Sequence, residues 1–179
     1  MKAFIVTIGT LILMVNVWYF TTCLNTYNRQ NDKLRWVASE AAAAGALYTD
    51  KEEESTGQII FLDEQTLGAA ETVIEKNLHL SSALAPTEDA YWQGPIEVTV
   101  YILDDSSCRV YRNGTLISTF AFTYPYLLSV SGTSFSHAIA HPAVCVSIDV
   151  GQTHLGGGLI QADTRTVRSS AYELLDKRN

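Results

Sequence analysis

The residues best equipped for chemistry are few and poorly matched in spacing. His137 and His141 lie four apart, a spacing that turns two imidazoles towards one metal only on a helix. The intervening Ala138, Ile139 and Ala140 bring no acid, and Pro142 follows at once, so an extended strand or loop is expected and the rings diverge. "GTSFS", Gly132 to Ser136, echoes a nucleophile elbow but lacks its second glycine and reads as a serine-rich loop. Asp104 and Asp105 read as a turn held by local side-chain hydrogen bonds. A calcium site would need further oxygen ligands at set spacing. "GGG", Gly156 to Gly158, lacks the Lys and Ser/Thr of a phosphate loop and reads as a flexible loop.

The three cysteines form no CxxC pair, so no zinc site is implied. Cys108 and Cys145 both fall in strand-like stretches. They could be joined in an oxidising compartment, or they could be two separately buried thiols. Cys23 reads as a bystander. No catalytic, cofactor-binding or metal-binding constellation emerges, and the chain is not expected to be an enzyme.

The elements that would position any site are more legible. "AFIVTIGTLILMVNVWYF", Ala3 to Phe20, carries no charge. As a helix it covers about 27 Å, close to the thickness of bilayer hydrocarbon. Trp18 and Tyr19 stand at its far end, where amphipathic rings favour the headgroup level. The run is longer than a signal-peptide core and no A-x-A site follows, so an uncleaved anchor spanning about 1–24 is expected. The net charge of −7, with no basic stretch interleaved with aromatics, argues against a nucleic-acid partner.

Past Phe20 the helical period continues. Leu24, Tyr27, Asn31, Leu34, Ala38, Ala41, Gly45 and Tyr48 alternate at spacings of three and four, and the seam extends back through Val17 and Leu13. One helix of roughly 45 residues and about 70 Å is expected, its outer half over 25–50 rich in alanine. Small side chains at Ala38, Ala41 and Gly45 allow close packing against a neighbour, which could be the chain's own domain, a partner, or both. Leu24, Tyr27, Leu34, Ala38, Ala41, Gly45 and Tyr48 are therefore the candidate helix-packing interface.

The remainder, 51–179, reads as an α+β domain. "DKEEES" is a solvated loop by composition. "GQIIFLD" reads as a short strand or extended entry to a second helix from about Glu64 to His79. That helix has Asp63 as N-cap and Leu67, Ala70, Ile74 and Leu78 as its stripe. From about residue 95 the period becomes two. Ile96, Val98, Val100 and Ile102 share one face, and Asn113-Gly114 marks a type I′ hairpin. The later strand-like runs "TFAFTYPYLLSVSG", "PAVCVSIDV" and "GLIQADTRTVRSSAYELL" complete an antiparallel sheet.

This layout resembles the TadE-like minor pseudopilins of tight-adherence (Tad/Flp) pilus and related type IV pilus-like systems. The likeness rests on the N-terminal apolar helix, the small-residue continuation "VASEAAAAGAL", the helix "AAETVIEKNLHL" and a β-rich domain ending in "TVRSSAYEL". It implies a pilin-like fold and a structural or assembly role in a bacterial surface or secretion apparatus. It also implies a single pass through the cytoplasmic membrane with the large domain outside. The implied partners are the lipid bilayer and other pilin-like or assembly proteins, in homo- or hetero-oligomers formed through the N-terminal helix. The alternative is a signal-anchored extracytoplasmic binding module unrelated to pili. Two features depart from the pattern. Classical prepilins carry a glutamate five residues into the mature chain, whereas Gly9 here lies inside the apolar run and the nearest acid is Asp32. This implies a place outside the filament shaft. Arg29, Lys33 and Arg35 outnumber Lys2 across the anchor, and by charge alone would favour a cytoplasmic domain.

Overall fold

The computed structural model describes residues 2–105, 107–130, 135–157 and 160–174. Helix α1 runs unbroken from Lys2 to Gly45. With no proline in the stretch, no backbone N–H is missing from the ladder of bonds to the carbonyl four residues back beyond the first turn. The side chains change role along its length. From Phe4 to Tyr19 the large apolar residues are exposed, whereas Leu34, Val37, Ala38, Ala41, Ala42 and Gly45 are buried.

The run expected to be a loop closes into a short helix, α2, Lys51–Thr56. It is solvent-facing, but Asp50 caps it by accepting a 2.9 Å hydrogen bond from Glu52 N–H. Gly57, at φ 96°, ends it in the left-handed region that a side chain would resist. Helix α3 spans Asp63–Leu78, with Ala70, Ile74 and Leu78 buried as its stripe and Leu67 half-buried. Its cap differs from expectation. The residue before the helix is Leu62, no side chain caps it, and the Asp63 carboxylate is engaged elsewhere.

The strands are β1 Glu97–Leu103, β2 Ser107–Arg112, β3 Thr115–Ala121, β4 Tyr126–Ser129, β5 Ser136–Ile139, β6 Ala143–Gly157 and β7 Ile160–Glu173. Five form an antiparallel sheet in the order β3-β2-β1-β6-β7, while β4 and β5 pair separately. The β2–β3 turn is the expected Asn-Gly hairpin, with φ of 45° at Asn113 and 74° at Gly114. Asn113 also clamps the neighbouring strand. Its Oδ1 accepts from Val98 N–H, and its own N–H donates to Val98 O, each at 2.8 Å.

Strand alternation builds two cores. Val98, Val100, Ile102, Val144, Val146 and Ile148 face α1 and α3. On the other face, Leu103, Cys108, Val110 and Cys145 pack with Leu128 of β4 and Ile139 of β5. The domain is thus three layers: helices, sheet and a two-stranded flap.

Candidate functional site

The small-residue face of α1 is where the sequence placed an interaction, and the chain itself occupies it. Leu34, Ala38, Ala41 and Gly45 are fully covered by the chain's own α3 and sheet. A Cβ on Gly45 would lie 3.2 Å from Thr66 O and 3.4 Å from Val144 Cγ1, so the glycine sets how closely α1, α3 and β6 approach. An external helix has no access to these four positions. Tyr27 is half-buried and shares a 2.6 Å hydrogen bond with Thr166 of β7. Leu24 and Tyr48 are exposed, Tyr48 standing beyond the end of the helix.

The β6–β7 hairpin extends this packing down to the apolar anchor. At Gly156, φ 80°, an added Cβ would meet Phe20 Cδ2 at 2.7 Å, so the tip abuts the last residue of the apolar run. Phe20 meets Gly156 and Gly45 meets Val144, so α1 lies along the hairpin, antiparallel to β6. Tyr27 adds an edge contact to Trp92 at 6.0 Å, and Tyr91 packs on Trp92 at 4.8 Å. "GGG" therefore belongs in part to a strand: Gly156 and Gly157 end β6, while Gly158 lies outside the described residues. Its sequence signal was the strand-like run on either side, which outweighs a local glycine count.

Charged residues gather at a second place. Arg109 on β2 bonds Asp104 at 2.6 Å and Asp63 at 2.8 Å, and Tyr111 donates to the other oxygen of Asp63. Among the described residues, the side chains of Asp104 and Asp105 make no local turn bond. They reach across to the strand-like entry segment, accepting from Phe61 N–H and Ile59 N–H, each at 3.0 Å. Tyr124 donates to Asp104 O at 2.8 Å. Burial works against the Arg109 cation, but Asp104 and Asp63 more than offset it and hold the guanidinium above its usual range. Burial pushes Tyr111 up to about 12, reinforced by its bond to Asp63. Every group here is tied to another element of the fold, so the cluster works as a clamp joining the α3 entrance to the sheet.

His137 through its ring and His141 through its backbone N–H both meet Glu173. His137 Nε2 lies 3.1 Å from Glu173 Oε1, and the backbone N–H groups of Ala140 and His141 donate to Oε2. Partial burial disfavours the charge on Glu173, but these three partners outweigh it and hold its carboxyl below the ordinary glutamate range. Among the described residues, no three of His, Cys, Asp and Glu come together to hold a metal. Of "GTSFS", Gly132 to Ser134 lie outside the described residues, and Ser136 opens β5 on the surface.

The cysteines are free, which corrects the pairing considered for Cys108 and Cys145. Cys108 sits opposite Leu103 on one side of β1, and Cys145 opposite Tyr101 on the other. Two strand spacings, about 9–10 Å, separate them, beyond the reach of a disulfide at about 7 Å between Cα atoms. Burial pushes both thiols up to about 12.

By length and composition, α1 is the one helix among the described residues that could cross a membrane, and its most apolar stretch is wholly exposed. No family model, curated protein or solved structure matches the chain.

Proposed function

We propose that the chain is a single-pass subunit of a pilus-like or secretion apparatus in a bacterial cytoplasmic membrane, with its α+β body outside. It works by protein contacts. The supporting observation is α1 itself: one helix is both the apolar anchor and a core element of the body. An anchor on a flexible linker would let the body swivel. Here Phe20, Tyr27 and Gly45 are all docked on the chain's own sheet, so the orientation of the anchor is transmitted to the body. Contacts with other subunits then fall to the exposed anchor residues below Phe20 and to surfaces of the body away from the small-residue seam.

The test combines topology with in-membrane capture. A reporter active only outside the cytoplasm, fused after Asn179, gives signal. A photo-crosslinking residue at Leu13 or Val17 captures another single-pass subunit. A silent outside reporter, or adducts with lipid alone, would sink the reading. The alternative, an anchored binding module unrelated to pili, draws on the open edge of β7. It expects lipid-only adducts in the bilayer together with a partner held by the body.

A further inference from the structure

Strand β7 closes one side of the five-stranded sheet, with β6 on one flank and, among the described residues, no strand on the other. A cleft of about 750 Å³ meets Arg165 and every position from Val167 to Ala171. Consecutive strand residues point to opposite faces, so a cavity touching all of them runs along the strand's edge. One wall is α1, through Asp32 and Arg35, and the other is the flap, through Phe135 and Ser136. In an antiparallel pair, alternate residues bond the partner strand and those between turn their N–H and C=O outward. The floor is therefore a row of strand donors and acceptors about 20 Å long.

The charge of the cleft opposes that of the chain. Against a net charge of −7, it gathers Arg35, Arg165 and Arg168 around the single acid Asp32. Arg165 is paired with Asp149 yet stays largely exposed, and among the described residues Arg35 and Arg168 enter no ion pair, Arg168 donating at 2.7 Å to Val167 O, a bond that an incoming strand would exchange for its own. A small anion would use the arginines and leave the strand edge idle, whereas an extended peptide uses both. This chain is a poor source of that peptide. Its densest acidic run, Asp50 to Glu54, is wound into α2 and its cap, and the opposite sheet edge, β3, carries no charge.

We propose that the β7 groove binds an extended acidic segment of a partner protein, which adds to the sheet as a further strand and sets its carboxylates against Arg35 and Arg168. The assignment rests on the β7 groove, its edge and its arginines, and stands apart from the apparatus reading.

The experiment uses the full chain in nanodiscs of phosphatidylcholine and a fluorescent eight-residue peptide alternating glutamate and valine. The expected result is salt-sensitive binding, weakened by about tenfold or more when Arg35→Glu and Arg168→Glu are combined. The lysine-valine counterpart should bind that double variant and not the parent, a reversal that misfolding would not produce. Methylating alternate backbone nitrogens of the glutamate peptide should abolish binding. Undiminished binding of the methylated peptide, or equal competition by inorganic phosphate, would reduce the groove to an anion site and overturn the proposal. So would no binding by the parent protein, or a self-association of the chain that Arg168→Glu abolishes.

Discussion

Replacing Gly45 by leucine distinguishes a helix face built for the chain's own core from one built for another subunit. At Gly45 a Cβ already stands 3.2 Å from Thr66 O, 3.3 Å from Thr66 Cγ2 and 3.4 Å from Val144 Cγ1. The rest of a leucine side chain has nowhere to go unless α1 lifts from α3 and β6. Overpacking of this kind costs about 1–3 kcal/mol, and the gain in helix propensity over glycine returns up to about 1 kcal/mol. A net loss of about 1–2 kcal/mol is expected, which lowers the melting temperature of a domain this size by about 2–8 °C. Alanine at the same position adds only the Cβ, so its propensity gain and its tight contacts nearly cancel, leaving it within about 1 kcal/mol of the parent. The assay is thermal unfolding of the full chain in detergent, followed by the fluorescence of Trp92, which is buried in the same core. If the leucine variant melted like the parent while losing a co-purifying subunit, the seam would be an intermolecular surface and the packing argument would be refuted.

Three further outcomes follow from the clamp, the flap and the thiols. Arg109→Met strands the Asp104 carboxylate, whose side chain is only 7 % exposed, and should cost about 2–3 kcal/mol in urea unfolding. Adding Asp104→Asn should recover part of that loss, and strict additivity would argue against a shared network. Glu173 has its carboxyl held below the ordinary range, so its stabilisation is present above the unfolded-state value, about 4.3, and is lost as pH falls through the folded value. Glu173→Gln should therefore be less stable than the parent at neutral pH, with the gap closing as pH drops below about 4. A gap that widened on acidification would contradict this assignment. Cys108 and Cys145, fully buried with thiols pushed up to about 12, should resist a thiol reagent until the domain is unfolded by denaturant. Rapid labelling of either in the folded protein, or a mass showing them joined, would disprove the strand placement.

Much of this architecture is written locally. The unbroken α1 follows from an apolar run continued at helical spacing without proline, and the β2–β3 hairpin follows from Asn113-Gly114, because few other pairs tolerate two left-handed residues in succession. Alternation placed Ile96, Val98, Val100 and Ile102 together on one face, and that face is the helix-covered core. Small residues at Ala38, Ala41 and Gly45 announced close contact. What they touch could not be read from them, because a methyl group records the distance to a neighbour and not its identity. Tertiary structure decided that the neighbours are α3 and β6. It also drew Asp63 away from capping α3 into a pair with Arg109 on β2, since an ion pair between distant elements leaves no periodic trace. Cys108 and Cys145 were placed on opposite flanks of β1, a matter of sheet order that two strand-like stretches share whatever their neighbours. The β7 groove is the furthest from the sequence of all. It exists only where a helix, a sheet edge and a flap from separate parts of the chain meet around three arginines.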